Sequence, residues 1–134
     1  MTELIEPMEI AGVEIPFTLA DEGVCEICRT RLTEERVVCI IEGASDTYIV
    51  SPSFCYQSVL NEFIRIPEDG LILWPSRLKG TGDCVFCDCF SNAGLRLGTL
   101  DDDDIICIGC ADRLFREMIQ VVQDNREVFI AEFL

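Results

Sequence analysis

Nine cysteines and no histidine define the chemistry open to this chain of 134 residues. Six of the nine form three C-x-x-C pairs, Cys25 with Cys28, Cys84 with Cys87 and Cys107 with Cys110; Cys39, Cys55 and Cys89 stand outside them. The second and third pairs are separated by 19 residues, a spacing that lets two short knuckles face each other and present four thiolates to one ion. Tetrahedral Zn2+ is the ion that such a set suits best. Cys84, Cys87, Cys107 and Cys110 are therefore the strong candidate ligands.

A weaker set lies upstream. Cys25, Cys28 and Cys55 repeat the pattern, but the position three residues before Cys55 is Pro52, which has no ligand atom. Cys39 is a candidate for the missing fourth bond. The competing reading is a core thiol in "VVCII", in which case Ser51 or Asp46 completes the site or the metal is lost. A third arrangement is zinc on three thiolates with an open position, as catalysis requires. Cys89 is left over, as a spare thiol or as an alternative ligand in the run Cys84, Cys87, Cys89, where iron–sulfur ligation is a remote option. Two zinc ions are expected, with one as the fallback.

What is missing narrows the function as much. Without histidine there is no Ser-His or Cys-His nucleophile and no His-ligated catalytic zinc. The glycines of "KGTGD" lead into a cysteine knuckle, not a helix, so they form no phosphate loop. Thiol redox chemistry at Cys25 and Cys28 would want a βαβ frame, and the pattern provides none. The chain reads as a non-enzyme.

The elements that must hold these cysteines come in two copies. Pro16, Leu19, Gly23, Cys25 and Cys28 align without a gap with Pro75, Leu78, Gly82, Cys84 and Cys87. Further on, Cys55, Val59, Leu60, Phe63 and Ile64 match Cys110, Leu114, Phe115, Met118 and Ile119, both series with the spacing of a one-sided helix begun at a cysteine. Between knuckle and helix each copy has two apolar runs about a polar turn: 37–41 and 48–50 about "EGASD", then 95–100 and 105–106 about "DDDD". Apolar extended segments, "LILW" and "VFIAEFL", follow the helices, and "KGTGD" reads as the linker. The amino-terminal "MEIAGVEIPF" predicts a hairpin turning at Ala11 and Gly12. The expected architecture is α+β, with residues 1–78 as the first repeat plus hairpin and 79–134 as the second. Two such small units need each other to bury their apolar residues, so they pack as one globule.

Each copy, from knuckle through helix, resembles the treble-clef zinc fingers, in which a knuckle and the first turn of a helix clamp the metal. That fold group serves many functions, so the resemblance implies architecture and zinc more than a task.

Charge adds little about partners. There are 25 acidic and 10 basic residues, the latter nine arginines and Lys79, giving a net charge of −15 on a chain that is 49% apolar. Acid excess with scarce lysine resembles proteins of salt-accumulating haloarchaea. In molar salt the Debye length is roughly 3 Å, so such a surface neither repels nor steers at a distance. "MTELIEPMEI" has no basic region of a signal peptide, and no apolar run nears the roughly 18 residues of a membrane span, so the expected location is cytoplasmic with no membrane contact. Asp101 to Asp104 read as a solvated turn, Arg29, Arg31 and Arg36 as a solvated group interleaved with glutamates, and Trp74 as an anchor between the copies. The expectation is a zinc-binding adaptor or regulatory module with a protein partner or a second copy of itself. The alternative is a nucleic-acid-binding finger, which needs Arg29, Arg31, Arg36, Arg96 and Arg113 on one face.

Overall fold

The computed structural model describes residues 5–44, 46–98 and 104–129, which include all nine cysteines. It is a mixed α+β structure of small antiparallel sheets and three helices. Strands β1 (Met8–Ile10) and β2 (Val13–Ile15) form the amino-terminal hairpin, and Ala11 and Gly12 both take positive φ, 52° and 82°. That is the two-residue turn whose twist suits a hairpin. Met8, Ile10 and Ile15 are buried beneath it.

Next come β3 (Phe17–Ala20), the first knuckle, β4 (Arg36–Glu42), β5 (Thr47–Val50) and α1 (Pro52–Leu60). The strands form a sheet in the order β3-β4-β5, with Cys39 opposite both Phe17 and Val50. The second half runs β6 (Lys79–Asp83), the second knuckle, β7 (Phe90–Arg96), β8 (Ile105–Ile106) and α2 (Ile108–Asp124), with the sheet order β6-β7-β8. Element order and sheet order are thus the same in both halves. A short α3 (Arg126–Phe129) follows.

Apolar periodicity accounts for α2: Leu114, Phe115, Met118 and Val122 lie on one face and all are buried. Leu114, Phe115 and Met118 share a core with Ile10 and Ile41 from the first half and Leu78 and Leu95 from the junction and second half, while Val122 packs with Val37 and Phe129, and the two long helices pack together. Trp74 is buried with its ring 6.4 Å from that of Phe115, which joins the end of the first half to α2.

Several local expectations change. "KGTGD" is strand β6, paired with β7, and not a linker. Helix α1 stops at Leu60, where Phe63 and Ile64 amides both turn back to the Ser58 carbonyl and Glu62 adopts φ 60°. Leu60 is exposed and Ile64 is buried from beyond the helix. Only Leu73 of "LILW" bridges in extended form, to Arg65. Val128 and Phe129 are helical rather than extended, and 130–134 lie outside the described residues, as do 99–103. No described helix is long and apolar enough to cross a membrane.

Candidate metal centre

Both knuckles are folded by the same backbone bonds. The Cys25 amide donates to the Thr30 carbonyl at 3.0 Å and the Arg29 amide to the Cys25 carbonyl at 2.8 Å; the Cys84 amide donates to Cys89 and the Asp88 amide to Cys84, each at 2.9 Å. Arg29 and Asp88, at corresponding places, share the same left-handed φ of 63°. Each knuckle is then tied to the strand that leads to its helix: Glu26 donates to the Ile49 carbonyl at 3.0 Å and Val85 to that of Ile105 at 2.9 Å.

The second knuckle delivers what its spacing promises. The sulfurs of Cys84, Cys87, Cys107 and Cys110 all lie within 4.8 Å of one another, and those of Cys87 and Cys107 are 3.6 Å apart. A tetrahedral ion with sulfur at about 2.3 Å places its ligands about 3.8 Å apart, so the set fits a metal of that kind. Cys107 is the N-cap of α2, its Sγ accepting the Cys110 amide at 3.4 Å, while Cys84 Sγ accepts the Phe86 amide at the same distance. The thiols are poised unequally. The Cys89 amide, followed by neighbouring thiols, brings Cys87 down to about 7, whereas burial pushes Cys107 and Cys110 up. Cys89 is exposed and hydrogen-bonded towards Cys87, which with its charge raises the Cys89 thiol.

The first set is looser. Cys25 and Cys55 sulfurs lie 3.9 Å apart, while the Cys28 thiol donates to the Thr30 hydroxyl at 3.4 Å; among the described residues only the second set brings all its sulfurs within 4.8 Å of one another. The thiols of Cys25 and Cys55 hold Cys28 well below its ordinary value. Burial raises Cys25 to about 11, and hydrogen bonds from its two neighbours, with burial, raise Cys55.

The helix-start alignment slips by one residue. Because Ile49 and Ile105 take the same knuckle amide, the residue matching Cys107 is Ser51 and not Pro52. Ser51 is indeed the N-cap of α1, its Oγ accepting the Phe54 amide at 3.2 Å and sharing a hydrogen with Ser53 at 3.1 Å. Pro52 sits at the first helical position, where its missing amide costs nothing. Cys55 therefore stands one residue deeper in its helix than Cys110. Cys39 corresponds by strand register to Leu95, a fully buried core residue: Cys39 is paired with Val50 where Leu95 is paired with Ile106. Its thiol donates to the Val50 carbonyl at 3.4 Å. Asp46 is exposed and its carboxylate accepts the Thr47 amide.

Sequence reasoning missed Asp104. This last member of the aspartate run is buried and accepts the Ala44 amide at 2.7 Å and the Tyr48 hydroxyl at 2.5 Å, across the two halves. Gly43 permits the approach, since a Cβ there would lie 2.6 Å from the Asp104 carboxylate. The guanidinium of Arg29 crosses the same boundary to the Gly98 carbonyl.

Compared with protein-family models, curated proteins and solved structures, the chain matches none.

Proposed function

We propose that this is a non-enzymatic zinc protein, built as two pseudo-symmetric treble-clef-like repeats, whose metal fixes a scaffold for protein–protein contact. The observation that carries the reading is the closed set of four sulfurs at Cys84, Cys87, Cys107 and Cys110. Four thiolates around zinc leave no position for a substrate or an activated water, which is the pattern of structural rather than catalytic sites. The matching knuckle bonds and sheet orders support the repeat. Exposed Leu60, Leu71, Leu73 and Phe90 supply apolar surface for a partner or a second copy.

Arginine placement favours protein over nucleic acid as partner. Arg29 is engaged with Gly98 and Glu26, Arg36 with Glu34 and the Phe54 ring, and Arg113 lines a groove with Glu6, Glu9, Glu117 and Asp124. A phosphate-binding face wants cations free of carboxylates.

Elemental mass spectrometry of the native protein, together with light scattering in high salt, tests the reading. Zinc at one or two equivalents with a dimer or a co-purifying protein is the expected result. A zinc-free chain, or a strict monomer without partner, overturns it.

A further inference from the structure

The second knuckle carries a fifth thiol that a four-coordinate ion does not need. Cys89 lies outside the four-sulfur set and is exposed, while Cys87 beside it is half-buried and Cys84 and Cys110 are buried. The backbone fixes where that thiol stands. The Cys84 amide donates to the Cys89 carbonyl as the Cys25 amide does to that of Thr30, and Asp88, between the two cysteines, turns through the same left-handed φ of 63° as Arg29. Cys89 and Thr30 thus occupy one place in the two knuckles.

The first knuckle shows what that place touches. There the Cys28 thiol meets the Thr30 hydroxyl at 3.4 Å, so the side chain two residues after the knuckle's second cysteine folds back onto its sulfur. In the second knuckle the same geometry sets a thiol against a thiol, and the Cys87 and Cys89 side chains are hydrogen-bonded to each other. Threonine in the other copy shows that the knuckle folds without sulfur here, so the exchange of hydroxyl for thiol adds chemistry rather than structure. Cys107 also lies near Cys87, but it is held as a ligand and as the cap of α2. An accessible ligand sulfur in contact with a spare thiol is the arrangement of an oxidisable pair, in which one cysteine meets the oxidant and its neighbour resolves the product.

We propose, on the zinc reading of the second site, that Cys87 and Cys89 form a peroxide-sensitive thiol pair whose disulfide removes one ligand from that site. The Cys87 thiolate attacks hydrogen peroxide: an S–O bond forms, the O–O bond breaks, and the departing hydroxide takes a proton from solvent and leaves as water, with Cys87 left as the sulfenic acid. The Cys89 sulfur then attacks that sulfur. The S–S bond forms, the S–O bond breaks, and the hydroxyl leaves with the Cys89 proton as a second water. Two electrons pass from the sulfur pair to the peroxide. Cys84, Cys107 and Cys110 remain, three sulfurs where four held the ion, and metal affinity falls. A dithiol reductant reverses the step by exchange.

The test treats the full zinc-supplied chain with a small excess of hydrogen peroxide, follows released zinc with a chromogenic chelator and maps disulfides by peptide mass spectrometry. The expected result is a Cys87–Cys89 disulfide, zinc release in step with it, and recovery of the bound metal with dithiothreitol and added zinc. C89T, which installs the residue of the first knuckle, is expected to hold the same zinc at rest and to release it at least about tenfold more slowly under peroxide. Zinc release from C89T at the wild-type rate, or a disulfide that joins Cys87 to Cys107 and spares Cys89, overturns the proposal. Loss of zinc from untreated C89T overturns it too, by making Cys89 a ligand. A chain that takes no zinc yet joins Cys87 to Cys89 keeps the thiol pair and removes the scaffold reading, whereas a zinc-loaded chain that never forms that disulfide removes the pair alone, so the two failures are distinct.

Discussion

Tyr48 and Asp104 hold corresponding places in the two halves, each one residue ahead of the strand residue that receives the knuckle amide, and they bond to each other at 2.5 Å. Contact between equivalent positions is what an axis of approximate twofold symmetry produces, so the bond supports the duplicated reading. One copy contributes a phenol and the other a carboxylate, which makes a charge-assisted hydrogen bond possible where two identical side chains would not.

That bond should couple the halves energetically. Tyr48→Phe and Asp104→Asn are each expected to cost about 1.5–3 kcal/mol, typical of a buried hydrogen bond to a charged group. The double variant should lose less than the sum, because both changes break one interaction. Urea midpoints of the four proteins measure this, and strictly additive losses would show that the pairing contributes nothing.

Removing the metal should unfold the second half first. Structural zinc contributes on the order of 10–16 kcal/mol in small domains, so a strong chelator or C84S is expected to abolish hydrogen-exchange protection in the first turns of α2. Acid should act in the same direction. Ligation replaces protons on Cys107 and Cys110, both raised by burial, so protons compete with zinc and its affinity falls as pH drops. Each proton taken up weakens binding by about 1.4 kcal/mol per pH unit. Zinc release followed by a chromogenic chelator between pH 8 and 5 reads the slope, and a pH-independent affinity would count against thiolate ligation.

Cys39 supplies an alkaline signature. Burial, with the neighbouring Cys25 charge adding to it, drives its thiol far above the ordinary value. The folded state therefore holds a proton that the unfolded chain gives up near pH 8.5. Stability from this group is complete below that pH and declines above it by up to about 1.4 kcal/mol per unit. Cys39→Val should remove part of the alkaline loss without altering metal content. Loss of a metal equivalent in C39V would instead make Cys39 a ligand.

Trp74 offers a test of packing against polarity. Its indole nitrogen is buried without a hydrogen-bond partner among the described residues, while its ring packs by Phe115. Tryptophan to phenylalanine leaves a void but removes an unsatisfied donor, so W74F is expected within about 1.5 kcal/mol of the wild type and W74A at about 3–5 kcal/mol, by thermal unfolding. Equal losses in the two would place the energy in the indole nitrogen rather than the ring.

The strong thiol cluster was legible because ligand spacing is a local property, and α2 because its apolar period is unbroken from Leu114 to Val122. The hairpin was legible in Ala11 and Gly12. Composition misled at Lys79–Asp83, where glycines that resemble a linker are demanded by packing: Gly80 and Gly94 face each other, and a Cβ on either would strike Ile105. The helix-start alignment failed by one residue because a serine hydroxyl caps α1 in the role a thiol plays in α2, and a search for cysteines passes over an oxygen. Asp104 was hidden inside a run of like charges, since a sequence cannot tell which of four aspartates meets a glycine from the other half.

The contacts of Arg29 with Gly98 and of Tyr48 with Asp104 both reach from the first half into the second, and the side chains beneath them form one continuous interior. A protease cut at the 78–79 peptide should therefore fail to liberate two fragments. The severed pieces are expected to co-migrate until denatured, and to reassemble when mixed, as a complementing pair.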